Sequence, residues 1–194
     1  MTQMGQRRPR KVRTIKTRYM VFTEGSVTEK QYLEQLKQHL RPDNATFLIK
    51  PVGGEPSKVF KEYESARKRG DVDYGVLIID VDEHKTLTDV LQQCRVSTHV
   101  DAVVSNPCFE LWLLWHKADM QRYIPTVPCC EKAGEQELTH GKHLHRSFPI
   151  ENFQEAITRA HNAWRELGPN EIGPNPSSAM PWFIDLLMTP PKES

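Results

Sequence analysis

The sequence predicts an α/β fold: a mostly parallel central sheet covered by helices, with a C-terminal helical extension. Two observations carry that expectation. From residue 19 to about residue 105, short apolar runs alternate with stretches of helical period, the β-α-β order that builds parallel sheets. One run, "YGVLIIDVDE" at 74–83, stays apolar without alternation until it ends in acids, as a strand covered on both faces does. The length of 194 residues suits one substantial core, since single domains run to about 100–200 residues.

The elements follow in order. "YMVFT" (19–23) reads as a short buried strand, and "SVTEKQYLEQLKQHL" (26–40) as a helix with Tyr32, Leu33, Leu36 and Leu40 on one face, stopped by Pro42. "ATFLIKPV" (45–52) is a second strand. "PSKVFKEYESARKRG" (56–70) is a second helix, opened by Pro56 and Ser57 and closed by Gly70. After the apolar third strand come a helix around 85–95 and a fourth strand, "VDAVVS" (100–105). "NPCFELWLLWHK" (106–117) predicts a short, deeply buried helix with Asn106 as cap and Pro107 in its first turn. Residues 119–149 are polar, broken by prolines and rich in histidine, and read as a loop or insertion. "ENFQEAITRAHNAWREL" (151–167) is a further helix stopped by Gly168, and a short one after "NPSS" carries Trp182, Phe183, Leu186 and Leu187. The expected organisation is a basic arm over 1–18, a core over 19–118, the polar segment 119–149 and completing helices over 150–194.

Composition narrows the function classes. No apolar run approaches the roughly 18 residues of a membrane span, and the basic N-terminus lacks the apolar segment of a secretory signal, so a cytoplasmic protein is expected. The net charge of +1 hides an asymmetry: residues 1–18 hold seven Lys or Arg and no acid, leaving a body of about −6. Arg7, Arg8, Arg10, Lys11 and Arg13 form an arm suited to nucleic-acid phosphates; a solubilising tail explains the same charges. The four cysteines form no CxxC pair and are expected as reduced thiols. Cys129, Cys130, His140, His143 and His145 match no familiar zinc spacing, and a polar loop with surface histidines is the expectation there.

The acids carry the chemistry. In a parallel sheet, ligands gather outside the carboxyl ends of strands. Glu24 follows the first strand, and Asp80 and Asp82 close the third, spaced to point to one side of an extended chain. Carboxylates at two strand ends suit a hard cation such as Mg²⁺. Glu29 has a second reading: "SVTE" fits a capping box with Ser26 as N-cap. Glu110, inside "CFELWLLW", is an acid among apolar neighbours and so requires a partner. His116 ends that apolar helix and is expected to meet its negative end.

"EG" directly after a strand, with "DVD" after a later one, resembles the Toprim fold of topoisomerases, primases and OLD-family nucleases. The fuller pattern of "TEGSVTEKQYLEQL", "LIIDVDE", "SNPCFELWLLWH" and "NPSSAMPWFIDLL" is similar to the RloB-like family over about residues 19–188. That resemblance implies a Toprim-like fold, a Mg²⁺ or Mn²⁺ site of Glu24, Asp80 and Asp82, and hydrolysis of nucleic-acid phosphodiesters. It also implies a prokaryotic defence setting with an ATPase partner. The family tends to carry a tyrosine and a lysine after the "FE" helix; here Lys142 is the candidate lysine, and His143 departs from the pattern. On this reading Glu29 and Glu110 support the metal's ligands or hold a second ion, and Asp82 or a metal-bound hydroxide serves the attacking water. Asn106, Lys142, Arg146 and the arm contact phosphate. Two other classes compete: a non-catalytic module that binds nucleic acid or an ATPase, and a hydrolase or phosphotransferase acting on a small nucleotide.

Overall fold

The computed structural model describes residues 17–42, 45–81, 86–165 and 167–189. Asp82 and the arm residues Arg7, Arg8, Arg10, Lys11 and Arg13 lie outside these described residues. The expected alternation is present as β1 (Thr17–Thr23), α1 (Thr28–Leu40), β2 (Ala45–Pro51), α2 (Pro56–Lys68), β3 (Tyr74–Asp80), α3 (Leu87–Val96) and β4 (Val100–Asn106). Then follow α4 (Phe109–Trp115), α5 (Thr126–Glu135), the two-residue strands β5 (Thr139–His140) and β6 (His143–Leu144), and a 3-10 turn (Ile150–Asn152). α6 (Phe153–Ala163), β7 (Ser177–Ser178) and α7 (Met180–Met188) complete the chain.

The main sheet runs β2-β1-β3-β4-β7, parallel through β4 and antiparallel at β7. This is the mostly parallel, helix-flanked α/β sheet that the sequence predicts, in a Toprim-like arrangement. Because the chain steps from β1 outward to β2 and then back across to β3, strand order reverses between β1 and β3. A crevice opens at such a reversal, outside the carboxyl ends of the two strands.

Side chains alternate between the two faces as strand period requires. Val21, Val76, Ile78 and Val103 pack on one face with α1, α4, α5, α6 and α7. Phe22, Leu77, Ile79 and Val104 pack on the other with α2 and α3. Tyr32, Leu33 and Leu36 of α1 are fully buried, as their spacing predicts, and every residue of α4 except Glu110 is buried. Burying a side chain of this size contributes about 1.5–3 kcal/mol, so α4 is held by the core despite its seven residues. No helix among the described residues is long and apolar enough to cross a membrane.

Four local expectations change. The residue at the N-cap of α4 is Cys108, with no side-chain cap bond; Asn106 instead donates its amide to the Gly173 carbonyl at 2.8 Å. Its strand runs on to Asn106 and pairs with Ser177, which commits that amide to the neighbouring segment. The 119–149 segment carries α5 and the β5–β6 hairpin, with Cys129, Ala133, Leu138, Leu144 and Phe148 in the core. α5 is hard to read because its buried stripe is only Cys129 and Ala133, while Pro128 sits in its first turn, where proline is tolerated. α6 stops at Ala163, short of Leu167: Trp164 is extended and exposed, and Leu167 reaches the core from outside the helix. Finally, Thr17 and Arg18 belong to β1 rather than to the arm, and Arg18 pairs with Asp73 at 2.8 Å.

Candidate functional site

β1 ends under tight control. The Glu24 N–H donates to the Ile78 carbonyl at 3.0 Å and the Val52 N–H to the Thr23 carbonyl at 3.0 Å, so both neighbouring strands hold the turn. The buried Thr23 hydroxyl donates to the Gly25 carbonyl at 2.6 Å. Glu24 Oε2 accepts from the Asp80 N–H at 3.1 Å, which ties the carboxyl ends of β1 and β3 together at the strand-order reversal.

Glu29 occupies the space beside Gly25. A Cβ on residue 25 would overlap the Glu29 carboxylate, so with Glu29 in this position glycine is favoured by close approach rather than by an unusual φ. The capping box does not form: α1 begins at Thr28, Ser26 is exposed, and no side chain caps the helix. Glu29 is therefore the second helical residue, one short of the position from which a box acid reaches back. Its carboxylate turns inward and accepts from the N–H groups of Gly25 and Glu29 itself. It is only 7% exposed. Burial first, then the charges of Glu110 and Glu24, push its pKa up to about 7 against those two hydrogen bonds.

Asp80 completes the group. Burial, then Glu29, Glu110 and Glu24, raise its pKa well above the ordinary carboxylate range, and the Phe109 N–H at the start of α4 opposes them. Four carboxyl groups from three separate segments thus share one electrostatic environment. Glu24, Glu29, Glu110, Gly53, Gly54 and Lys142 line a cavity of about 310 Å³ there. A larger cavity, about 560 Å³, lies between α2 and α3, but its lining contains none of the clustered acids.

Lys142 reaches the cavity through the hairpin. Gly141 has φ +59 and is the first of two turn residues between β5 and β6, the position where a tight hairpin favours glycine. The Thr28 hydroxyl donates to the Lys142 carbonyl at 2.7 Å, and the Leu144 N–H donates to Gln31 Oε1 at 2.8 Å. The hairpin is thereby fastened to the start of α1, with the exposed Lys142 side chain beside the acids.

The structure brings Glu24, Glu29, Asp80, Glu110 and Lys142 together, and it does not bring Arg146 or the Asn106 amide to them. Arg146 is exposed and lines a separate groove with Gln31 and Glu34. His116 is fully buried: Nδ1 donates to the Trp112 carbonyl at 3.0 Å, the helix-end contact expected, leaving Nε2 to accept from the Tyr32 hydroxyl at 3.3 Å. Burial lowers its pKa to about 4, so it is neutral. Of the histidines near the cysteines, His143 meets Gln31 and His145 meets Ser147. The sequence reading missed Gly53 and Gly54 at the cavity mouth; the "GG" before "EPS", between a strand and a helix opened by proline, was the available turn signal.

The donor set is all oxygen, which suits Mg²⁺ or Mn²⁺ rather than a soft ion. Among the described residues, none of the ion pairs found engages Glu29, Asp80 or Glu110, so a cation would relieve mutual repulsion there. A family model described as RloB-like protein matches residues 19–187. No curated protein and no solved structure matches the chain.

Proposed function

The chain belongs to the RloB-like family, and on that premise we propose that it is a divalent-metal-dependent nuclease-like protein acting on nucleic-acid phosphodiesters, in prokaryotic antiviral defence with an ATPase partner. What supports this reading is that Glu24, Glu29, Asp80 and Glu110 share one electrostatic environment past the carboxyl ends of β1 and β3, with Lys142 lining the same cavity as three of them. Glu24, Asp80 and Asp82 would hold Mg²⁺ or Mn²⁺, with Glu29 and Glu110 assisting. Bound there, such an ion would supply Lewis-acid stabilisation of charge developing on the phosphoryl oxygens. Lys142 orients the phosphate and offsets the same charge from the open side of the cavity. Gly53 and Gly54 add no side chain to the cavity lining, so a phosphate chain can approach the backbone closely there, while the space beside Gly25 is taken by the Glu29 carboxylate.

The test is cleavage of DNA and RNA with Mg²⁺ or Mn²⁺. Glu24→Gln and Asp80→Asn are each expected to lower the rate by more than about 100-fold, the scale of removing one electrostatic catalytic interaction. Unchanged cleavage in both variants sinks the mechanism. Nucleic-acid binding that persists in chelator, with no cleavage under any metal, favours a non-catalytic binding module instead. A small-nucleotide hydrolase draws support from the volume of about 310 Å³, at the lower end of small-ligand pockets; hydrolysis of mononucleotides but not polymers would establish it.

A further inference from the structure

Beside the acidic cavity lies a second cluster of different chemistry. Cys108 stands at the N-cap of α4, Glu110 in its first turn, and Cys130 on the facing helix α5. One donor atom from each lies within 4.8 Å of the others. We propose that Cys108, Glu110 and Cys130 bind a thiophilic divalent cation, with Zn²⁺ the ion their chemistry fits. Two thiolates and a carboxylate are zinc ligands, and three protein ligands leave the fourth tetrahedral position open.

The geometry separates this from a disulfide. Cys108 Sγ and Cys130 Sγ are 4.0 Å apart. Two sulfurs on a tetrahedral zinc, each about 2.3 Å from it, stand about 3.8 Å from one another, whereas a disulfide requires about 2.05 Å. The pair therefore needs almost no movement to ligate and about 2 Å of movement to cross-link. Access is from the Glu110 and Cys130 side, since both are partly exposed while Cys108 is buried. No ion pair among the described residues occupies Glu110. The inference goes beyond the nuclease reading and touches it only through Glu110, which also lines the acidic cavity.

The test uses the full chain, purified under reducing conditions without a metal-binding tag and titrated with Co²⁺. One equivalent is expected to give thiolate-to-cobalt charge-transfer absorption that Zn²⁺ displaces. Cys130→Ser and Cys108→Ser should each weaken binding by at least the roughly 10–100-fold that losing an outer-shell partner costs. Glu110→Gln should weaken binding and keep the absorption, and Cys94→Ser should change nothing. Cys130 is only partly buried, so its variant is the one least apt to disturb folding; circular dichroism verifies that. Absence of the absorption while all four thiols titrate as free overturns the proposal. So does absorption kept by Cys130→Ser and lost by Cys129→Ser. Because binding is read spectroscopically, a failed titration leaves the effects of Glu24→Gln and Asp80→Asn on cleavage standing, and the converse holds.

Discussion

Glu29 is the residue where local and tertiary demands conflict most. In the unfolded chain its carboxyl ionises near 4.5, and in the folded protein at about 7. Between those values the folded state holds the extra proton, so its contribution to stability is full below about 4.5 and declines as pH rises to about 7, by up to about 3 kcal/mol. Asp80 acts with the same sign. His116 acts with the opposite sign: its folded pKa is lowered to about 4 from 6.5, so stability rises with pH across that window. The His116 slope offsets part of the carboxyl slope, and the difference between variant and native is the cleaner measurement. In chelator, Glu29→Gln is expected to gain thermal stability relative to the native chain as pH rises from about 5 to about 8. A difference that stays constant with pH rules this out. Gly25→Ala is expected to lose about 1–3 kcal/mol from overpacking against the Glu29 carboxylate. Most of that penalty should vanish in a Glu29→Ala background, where denaturant melts would otherwise show simple additivity.

At the scale of elements, the site depends on pieces that bring almost no core of their own. The β5–β6 hairpin has four strand residues and is held against α1 by the Thr28 and Gln31 hydrogen bonds. Thr28→Val keeps the shape of the residue and removes the donor to the Lys142 carbonyl, for an expected loss of about 1 kcal/mol. The informative readout is amide hydrogen exchange: β6 should open faster while β1 and β3 are unaffected, since local opening follows local packing and hydrogen bonding. If exchange in β6 does not change, the hairpin is held by its buried Leu144 and Leu138 instead. α4 is the reverse case, a short helix that the core holds on every side but one. The side it leaves open presents Glu110 to both the acidic cavity and the sulfur cluster.

For the whole molecule, the proposed nucleic-acid substrate makes charge asymmetry the quantity to test. The carboxylate cluster alone repels phosphate, and the seven cations of residues 1–18 offset a body of about −6. Deleting residues 1–16 spares Thr17 and Arg18 of β1 and is expected to weaken polynucleotide binding. The salt dependence should fall by about 0.7–0.9 in log-log slope for each phosphate that the arm no longer neutralises. An unchanged slope means the arm does not touch nucleic acid.

The sequence by itself determined the order of strands and helices from β1 to α4, the buried faces of α1 and α4, and the position of Glu24 and Asp80 at strand ends. Those properties follow from periods of two and 3.6 within a few residues, so they are written locally. Only the tertiary structure decided that Glu29 abandons its cap, that Glu110 and Lys142 join the acids, and that Cys108 meets Cys130. The last two join segments that are separate in the chain, and no local pattern records which faces a sheet reversal brings together.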